Sequence, residues 1–172
     1  MLQLILTIGH STRTLDAFID LLKQNGVARL ADIRRFPGSR RYPHFAREAL
    51  AESLPAAGLE YLHLEELGGR RKANPDSPNT ALRNEQFRAY ADHMTTPEFR
   101  AAVDRLLDSG KRTAYMCAEA VPWRCHRNLL SDELVRRGLQ VFHILGPGQR
   151  HEHTLSADAR IVDDRVVYPG LF

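Results

Sequence analysis

The chain has 172 residues, 43% of them hydrophobic and 26% charged, with a formal net charge of +3, which is ordinary for a soluble globular protein. This length suits one domain with a real core, no apolar run approaches a membrane span, and the start lacks the charged segment and cleavage site of a signal peptide. We therefore expect a single cytoplasmic domain over residues 1–172, away from membranes, whose two cysteines are reduced, metal-bound or reactive rather than structurally bridged.

The first half of the chain predicts three strands, two helices and one long loop. Thr14 and Gly26 mark the start and the end of the first helix, and Pro55 is expected to break the second. The loop is polar and rich in Gly, Pro and Asn. In chain order the elements are a buried strand at 2–9, a helix at 14–26, a strand at 27–34, a helix at 47–58, a short strand at 59–64 and the loop at 68–83.

The second half continues the alternation of helices and strands. It predicts helices at 84–94 and 96–110, a strand at 111–117, a helix at 126–138, a strand at 139–145, and a hairpin or edge strand around Asp163 and Asp164. This pattern predicts an α/β fold, a single domain with a mostly parallel sheet of about five strands flanked by helices. A small barrel-like closure of the sheet is the open alternative.

Polar, titratable or glycine-rich segments follow nearly every predicted strand. Ligands of parallel α/β sheets bind beyond the carboxyl ends of the strands, so these segments are expected to line one functional pocket. They contribute His10 and Ser11 after the first strand, Asp32, Arg34 and Arg35 after the second, His63, Gly68 and Gly69 after the third, Cys117, Glu119, Cys125, His126 and Arg127 after the fourth, and His143 at the fifth.

Arginine dominates the basic residues, since Lys23, Lys72 and Lys111 are the only lysines among 24. A GC-rich genome produces such a bias, but guanidinium groups also bind phosphate and carboxylate well. The arginines cluster at 29–47, 70–71 and 124–127, with aromatic residues interleaved that suit stacking on bases. We expect an anionic small molecule or nucleic acid as partner.

The segment YMCAEAVPWRCHRNLL, residues 115–130, holds both cysteines. Its spacing is not the C-x2-C pattern of zinc sites, and Cys117 precedes Arg124 by one residue too many for a cysteine phosphatase. Cys125 lies near a predicted helix start among positive side chains, which would lower the pKa of a thiol and make it reactive. A buried structural role for this cysteine is the alternative.

Five motifs in this order connect the chain to a known family: TIGHS (7–11), ADIRRFPGSRR (31–41), YLHLEELGG (61–69), MCAEAVPWRCHR (116–127) and VFHI (141–144). By these motifs the chain resembles, over nearly its whole length, the bacterial and archaeal family catalogued as domain of unknown function 488. The resemblance implies a stand-alone intracellular α/β domain without an established activity. The motif residues it carries over are His10, Ser11, Asp32, Arg34, Pro37, Ser39, His63, Leu67, Gly68, Gly69, Cys117, Glu119, Cys125, His126, Arg127 and His143.

The first hypothesis is an enzyme that acts by hydrolysis or group transfer on an anionic, phosphate-bearing substrate, a nucleotide or nucleic acid. The catalytic candidates are Glu119, His10, His126, Cys117 and Cys125. The substrate-binding candidates are Ser11, Arg34, Arg35, Ser39, His63, Gly68, Gly69 and Arg127. The alternatives are a nucleic-acid-binding protein without catalysis and a metal-binding protein that uses Cys117, Cys125 and a histidine such as His126. No cofactor is identified.

Overall fold

A six-stranded mixed sheet forms the centre of the computed structural model, which describes residues 3–38 and 40–170. The strands are β1 (Leu4–Gly9), β2 (Arg29–Asp32), β3 (Glu60–His63), β4 (Thr113–Cys117), β5 (Gln140–Gly146) and β6 (Gln149–Glu152). Their order is β3-β2-β4-β1-β5-β6, and only β6 runs antiparallel to its neighbour. The α/β class and the mostly parallel sheet are confirmed.

Five α-helices flank the sheet: α1 (Leu15–Gln24), α2 (Arg47–Ala56), α3 (Glu85–His93), α4 (Pro97–Leu107) and α5 (Arg127–Arg136). The side chain of Thr14 caps α1 by accepting a hydrogen bond from the backbone N–H of Ala17, as the sequence predicts. The expected break at Pro55 does not occur, because this proline falls in the last turn of α2, which ends at Ala56. No helix in the described part of the chain is both long enough and apolar enough to cross a membrane.

Side chains alternate between the two faces of each strand, so the sheet has a core on both sides. On one face, residues such as Ile8 and Met116 pack with α1 and α2. On the other face, residues such as Ile5 and Tyr115 pack with α3, α4 and α5. Helices on both faces leave the carboxyl ends of the parallel strands to be covered mainly by loops.

The end of the chain contains one predicted feature and one that the sequence pattern does not show. A hairpin of β7 (Arg160–Val162) and β8 (Arg165–Val167) turns at Asp163 and Asp164, whose φ angles of 50° and 59° suit a two-residue turn. Strand β6 was not predicted, because all four of its residues are exposed and polar and therefore lack an apolar alternation.

Candidate functional site

A cavity of about 650 Å³ lies at the carboxyl ends of β1, β2 and β4. Strand β4 is central in the sheet, so the loops from both sides converge above its last residue, Cys117. The lining residues are His10, Ser11, Thr12, Arg34, Arg35, Phe36, Gly38, Arg41, Tyr42, Gly69, Arg70, Gln86, Phe87, Cys117, Ala118, Glu119, Ala120, Arg124, Cys125 and His126.

The loops after β1 and β4 are locked together at the base of the cavity. The backbone N–H groups of His10 and Ser11 donate to the carbonyls of Cys117 and Ala118, each at 3.0 Å, and so extend the strand ladder into the loops. A Cβ at Gly9 would overlap the carbonyl group of Glu119, so only glycine allows this approach. The loop that carries His10 is therefore held directly against the loop that carries the thiols.

Cys117 and Cys125 are free thiols in the cavity wall, 1% and 6% exposed. The Cys117 thiol donates to the carbonyl oxygen of Glu119 at 3.7 Å, and the Arg127 backbone N–H donates to the Cys125 sulfur at 3.4 Å. Burial raises the pKa of Cys117, but the Cys125 thiol and the Arg127 guanidinium outweigh it, so this pKa is lowered overall. Burial and the neighbouring Cys117 hold the pKa of Cys125 well above its ordinary value.

The thiol that ionises more readily is therefore Cys117, whereas the sequence pattern favoured Cys125 for its place near a helix start. Cys125 lies two residues before α5, and the backbone N–H that its sulfur accepts from the first residue of that helix favours the thiolate, but burial and the neighbouring Cys117 outweigh this bond. Cys125 acts instead as a neutral neighbour whose S–H favours the Cys117 thiolate.

His10 has the geometry of a general base. Its ring stacks on Phe45 at 4.4 Å, and Nδ1 donates to the carbonyl of Ser11 at 2.9 Å, so in the neutral ring Nε2 carries the lone pair. Burial lowers the pKa of His10, so the ring is neutral at pH 7 and can accept a proton.

His126 is also neutral at pH 7, because burial lowers its pKa to about 4. Its Nδ1 lies 3.5 Å from the Cys125 sulfur. Its buried Nε2 has no partner with hydrogen-bond geometry among the described residues, although the backbone of Ile33 is near enough to favour the protonated ring slightly. Glu119 lines the cavity with an exposed side chain, so the desolvation expected of a general acid does not occur there.

Two of the predicted substrate arginines are buried and hold the cavity wall. Arg34 pairs with Asp32 through Nε at 2.9 Å and a terminal nitrogen at 2.7 Å, and also donates to the Phe45 carbonyl at 2.6 Å. Arg127 is fully buried behind the lining residues and donates to the carbonyl of Glu119 at 3.2 Å. Both guanidinium groups therefore donate to protein atoms, that of Arg34 to a carboxylate and that of Arg127 to oxygens without a charge.

Four other arginines line the cavity without a carboxylate partner among the described residues: Arg35, Arg41, Arg70 and Arg124. Arg35 donates to the carbonyl of Arg70 at 2.6 Å, and the guanidinium carbons of these two lie 5.2 and 5.8 Å from the centre of the Phe36 ring. Glu119 is the one acidic residue that the cavity lining contains. The rim is therefore strongly positive.

The remaining predicted residues have varied positions. Ser11 and Gly69 line the cavity. His63 donates through Nε2 to the carbonyl of Arg34 at 2.7 Å and so supports the loop from below. Gly68 is buried against the backbone of Arg35, where a Cβ would clash. Ser39 lies outside the described residues.

Gln86 and Phe87 of α3 line the cavity, although no pattern in the sequence selects them. Their spacing is that of an ordinary amphipathic helix, and nothing local shows that α3 reaches the strand ends. The metal hypothesis lacks a supporting arrangement, since no three His, Cys, Asp or Glu side chains of the described residues are grouped as metal ligands.

The fold and this cavity define an α/β protein with its candidate ligand site assembled from loops at the carboxyl end of the sheet. The chain belongs to the family described as Domain of unknown function DUF488, whose model matches residues 14–134. That match includes the motifs around Arg34, Gly68 and Cys117 and stops short of the two outermost motifs that carried the resemblance. No curated protein and no solved structure matches the chain.

Proposed function

We propose that this protein is an enzyme that binds an anionic, phosphate-bearing substrate in the cavity and acts on it by hydrolysis or group transfer. The observation that carries this proposal is the charge of the lining. Arginines from the loops after β2, β3 and β4 meet around one cavity without carboxylate partners among the described residues, and one exposed glutamate opposes them. Guanidinium groups in this number favour a ligand with several anionic oxygens.

The chemistry follows from the two groups at the base of the cavity. The Cys117 thiolate attacks the phosphorus, forms an S–P bond and expels the leaving oxygen, which takes a proton from solvent. Nε2 of His10 then removes a proton from the water or alcohol whose oxygen attacks the phosphorus and breaks the S–P bond, which restores the Cys117 thiolate, and His10 returns its proton to solvent. Water as the acceptor gives hydrolysis, and an alcohol gives group transfer.

A second candidate function is the binding of single-stranded nucleic acid, which the exposed aromatic residues favour. Phe36 and Trp123 are each 60% exposed, and the arginines beside Phe36 and the neighbouring Arg124 lie at the cavity. Stacking of a base on an aromatic ring beside cationic side chains is the usual design of such surfaces.

Titration calorimetry with inorganic pyrophosphate and with adenosine monophosphate tests the anion proposal. We expect binding by the wild-type protein that weakens about tenfold in Arg41→Ala and in Arg124→Ala, since each removes one charge-assisted contact. Arg165→Ala removes an exposed arginine of β8 that is not part of the cavity lining, and should bind as wild type does.

Turnover is tested by release of phosphate from a panel of phosphate esters. His10→Gln should slow the reaction by about a hundredfold, and Cys117→Ser should abolish the covalent step. Binding that is equal in Arg41→Ala, Arg124→Ala and Arg165→Ala would refute the anion site. Binding without turnover, together with salt-sensitive retention of oligonucleotides, would favour the second function.

A further inference from the structure

A continuous series of buried hydrogen bonds connects Arg127, behind the cavity wall, with Asp132 of the same helix, α5. Arg127 contacts the hydroxyl of Thr7 at 3.1 Å, and that hydroxyl contacts Nδ1 of His143 at 2.6 Å. Nε2 of His143 contacts Nδ1 of His153 at 2.9 Å, and Nε2 of His153 contacts a carboxylate oxygen of Asp132 at 2.7 Å. Each of these five residues is at most 8% exposed.

The chemistry of these side chains limits the direction of the hydrogen bonds between them. Arg127 can only donate, so the Thr7 oxygen accepts from it. A carboxylate can only accept, so Nε2–H of His153 donates to Asp132. His143 is neutral, because burial lowers its pKa to about 3, so one ring nitrogen donates and the other accepts. In the arrangement that gives the Thr7 hydroxyl a partner for its proton, Nδ1 of His143 accepts from Thr7 and Nε2–H of His143 donates to Nδ1 of His153.

At the Arg127 end, this series of hydrogen bonds reaches the two thiols. The guanidinium of Arg127 and the sulfur of Cys117 contact the same carbonyl oxygen, that of Glu119, at 3.2 and 3.7 Å. The backbone N–H of Arg127 also contacts the sulfur of Cys125 at 3.4 Å. Among the described residues, the Arg127 guanidinium donates to the hydroxyl of Thr7 and to the carbonyls of Glu119 and Ala120, and it forms no ion pair with a carboxylate. Its positive charge is therefore free to act on its neighbours.

We propose that Thr7, His143, His153 and Asp132 form a positioning relay that holds the guanidinium of Arg127 beside the Cys117 thiol and so favours the thiolate. The relay rests on the proposed function only in taking Cys117 as the nucleophile. Its members touch neither the cavity nor a reacting atom, and they act through Arg127.

Arg127 is the cation that lowers the pKa of Cys117, whereas the charge of Glu119 raises it. Burial raises the pKa of both Tyr90 and Tyr115, which adjoin this thiol, so these phenols are neutral. Other arginines line the same cavity, but Thr7 contacts Arg127, so a change in the relay displaces this guanidinium and not those of the rim. Thr7 and His143 are paired residues of neighbouring strands, which makes the position they impose rigid.

The rate of alkylation of Cys117 by iodoacetamide, measured from about pH 5 to about pH 10, tests the relay without any substrate. Trypsin cleaves after Arg124 and so separates the two cysteines for mass spectrometry. We expect a wild-type midpoint for Cys117 below the ordinary value of about 8.5. Thr7→Val keeps the shape of the side chain but removes the oxygen, and should raise the midpoint by about one pH unit. Thr7→Ser restores the hydroxyl and should restore the wild-type midpoint.

His153→Asn, whose shorter side chain no longer reaches Asp132, should raise the midpoint by a smaller amount. This variant tests the relay if Thr7→Val does not fold. Tyr168→Phe removes a different donor to Asp132, at 2.7 Å, and should leave the midpoint unchanged. Folded Thr7→Val or His153→Asn protein with the wild-type midpoint, or a wild-type midpoint at the ordinary value, overturns the relay. Pyrophosphate binding is measured separately on the rim variants, so the proposed function can fail while the relay stands.

Discussion

Two buried aspartate–arginine systems flank the cavity, and they are built in opposite ways. Asp32 and Arg34 lie two positions apart and form a direct pair with two contacts of 2.9 and 2.7 Å. Arg127 and Asp132 lie on one helix but connect only through three intervening side chains, from β1, β5 and the segment after β6. The direct pair neutralises its own charge, whereas the relay leaves a positive charge at the thiols.

The difference separates a structural from an electrostatic use of arginine. Arg34 spends its donors on Asp32 and on the carbonyl of Phe45, which fixes the loop that carries the rim arginines. Arg127 is fixed equally firmly, but by carbonyl and hydroxyl oxygens. Partners of this kind hold a guanidinium in place without neutralising it. The stability of the protein should therefore respond differently when each system is disrupted, with the largest effect expected for the direct pair.

Asp32→Asn should produce the largest loss of stability, because it leaves the buried charge of Arg34 without a counter-ion. We expect the free energy of unfolding to fall by about 3 kcal/mol in urea titrations at neutral pH. Asp20→Asn changes an exposed aspartate of α1 and serves as the control, with an expected change within about 0.5 kcal/mol. Equal losses in the two variants would mean that the Asp32–Arg34 pair contributes nothing beyond surface charge.

Acid should lower the free energy of unfolding through the buried neutral histidines His143 and His126 more than through the Asp32–Arg34 pair. The pKa values of His143 and His126 are lowered by burial to about 3 and about 4, from 6.5. Between these values and 6.5 the unfolded chain binds more protons than the folded one, so stability is lost as the pH falls below about 6.5. Each such histidine contributes a slope of about 1 kcal/mol per pH unit.

His143→Asn should make this slope shallower by the share of one histidine, when unfolding is followed in urea at several pH values between about 4 and about 7. His151→Asn, which changes an exposed histidine of β6, should keep the full slope. Asp32→Asn should lower stability at every pH without flattening the curve. A slope that is unchanged in His143→Asn would show that this ring is not a buried neutral group.

The same contrast explains how far the sequence could lead. The sequence places Asp32 and Arg34 together at the end of one strand, within reach of each other, although its pattern of arginines favours substrate binding by Arg34 and not a pair. The relay is not visible in the sequence, because Thr7 looks like one polar residue in an apolar strand, and His153 lies in a polar segment without a pattern. The alternation of strands and helices was sufficient for the α/β class, since burial on both sheet faces imposes it.

For the cavity, the sequence predicted which strand ends contribute but not which of their side chains face the cavity. Arg127 and His63 lie at the right ends of the right strands and yet support the wall from behind. Phe87 lines the cavity from a helix that has no local signal of its role. Side-chain direction at a loop depends on contacts between distant segments, such as the approach of Gly9 to Glu119, and a single sequence does not encode these locally.

The smallest expected effect is the difference between two tyrosines, each of which donates to the Oδ2 oxygen of one of the two aspartates. The hydroxyl of Tyr61 donates to Asp32 at 2.6 Å, and that of Tyr168 donates to Asp132 at 2.7 Å. Tyr61→Phe should cost about 1 kcal/mol, because Asp32 keeps the charge of Arg34. Tyr168→Phe should cost about 2 kcal/mol, because Tyr168 is fully buried and Asp132 has no arginine or lysine partner among the described residues.

Urea titrations of the two variants side by side measure this difference, and each is the matched control of the other, since both lose one phenolic hydroxyl from a buried carboxylate. The ratio of the two losses reports whether Asp132 has a cationic partner. If Tyr61→Phe is as costly as Tyr168→Phe, then His153 compensates the charge of Asp132 as fully as Arg34 compensates that of Asp32. The single hydrogen bond between His143 and His153 would then run from Nδ1–H of His153 to Nε2 of His143, and the relay would carry a second positive charge.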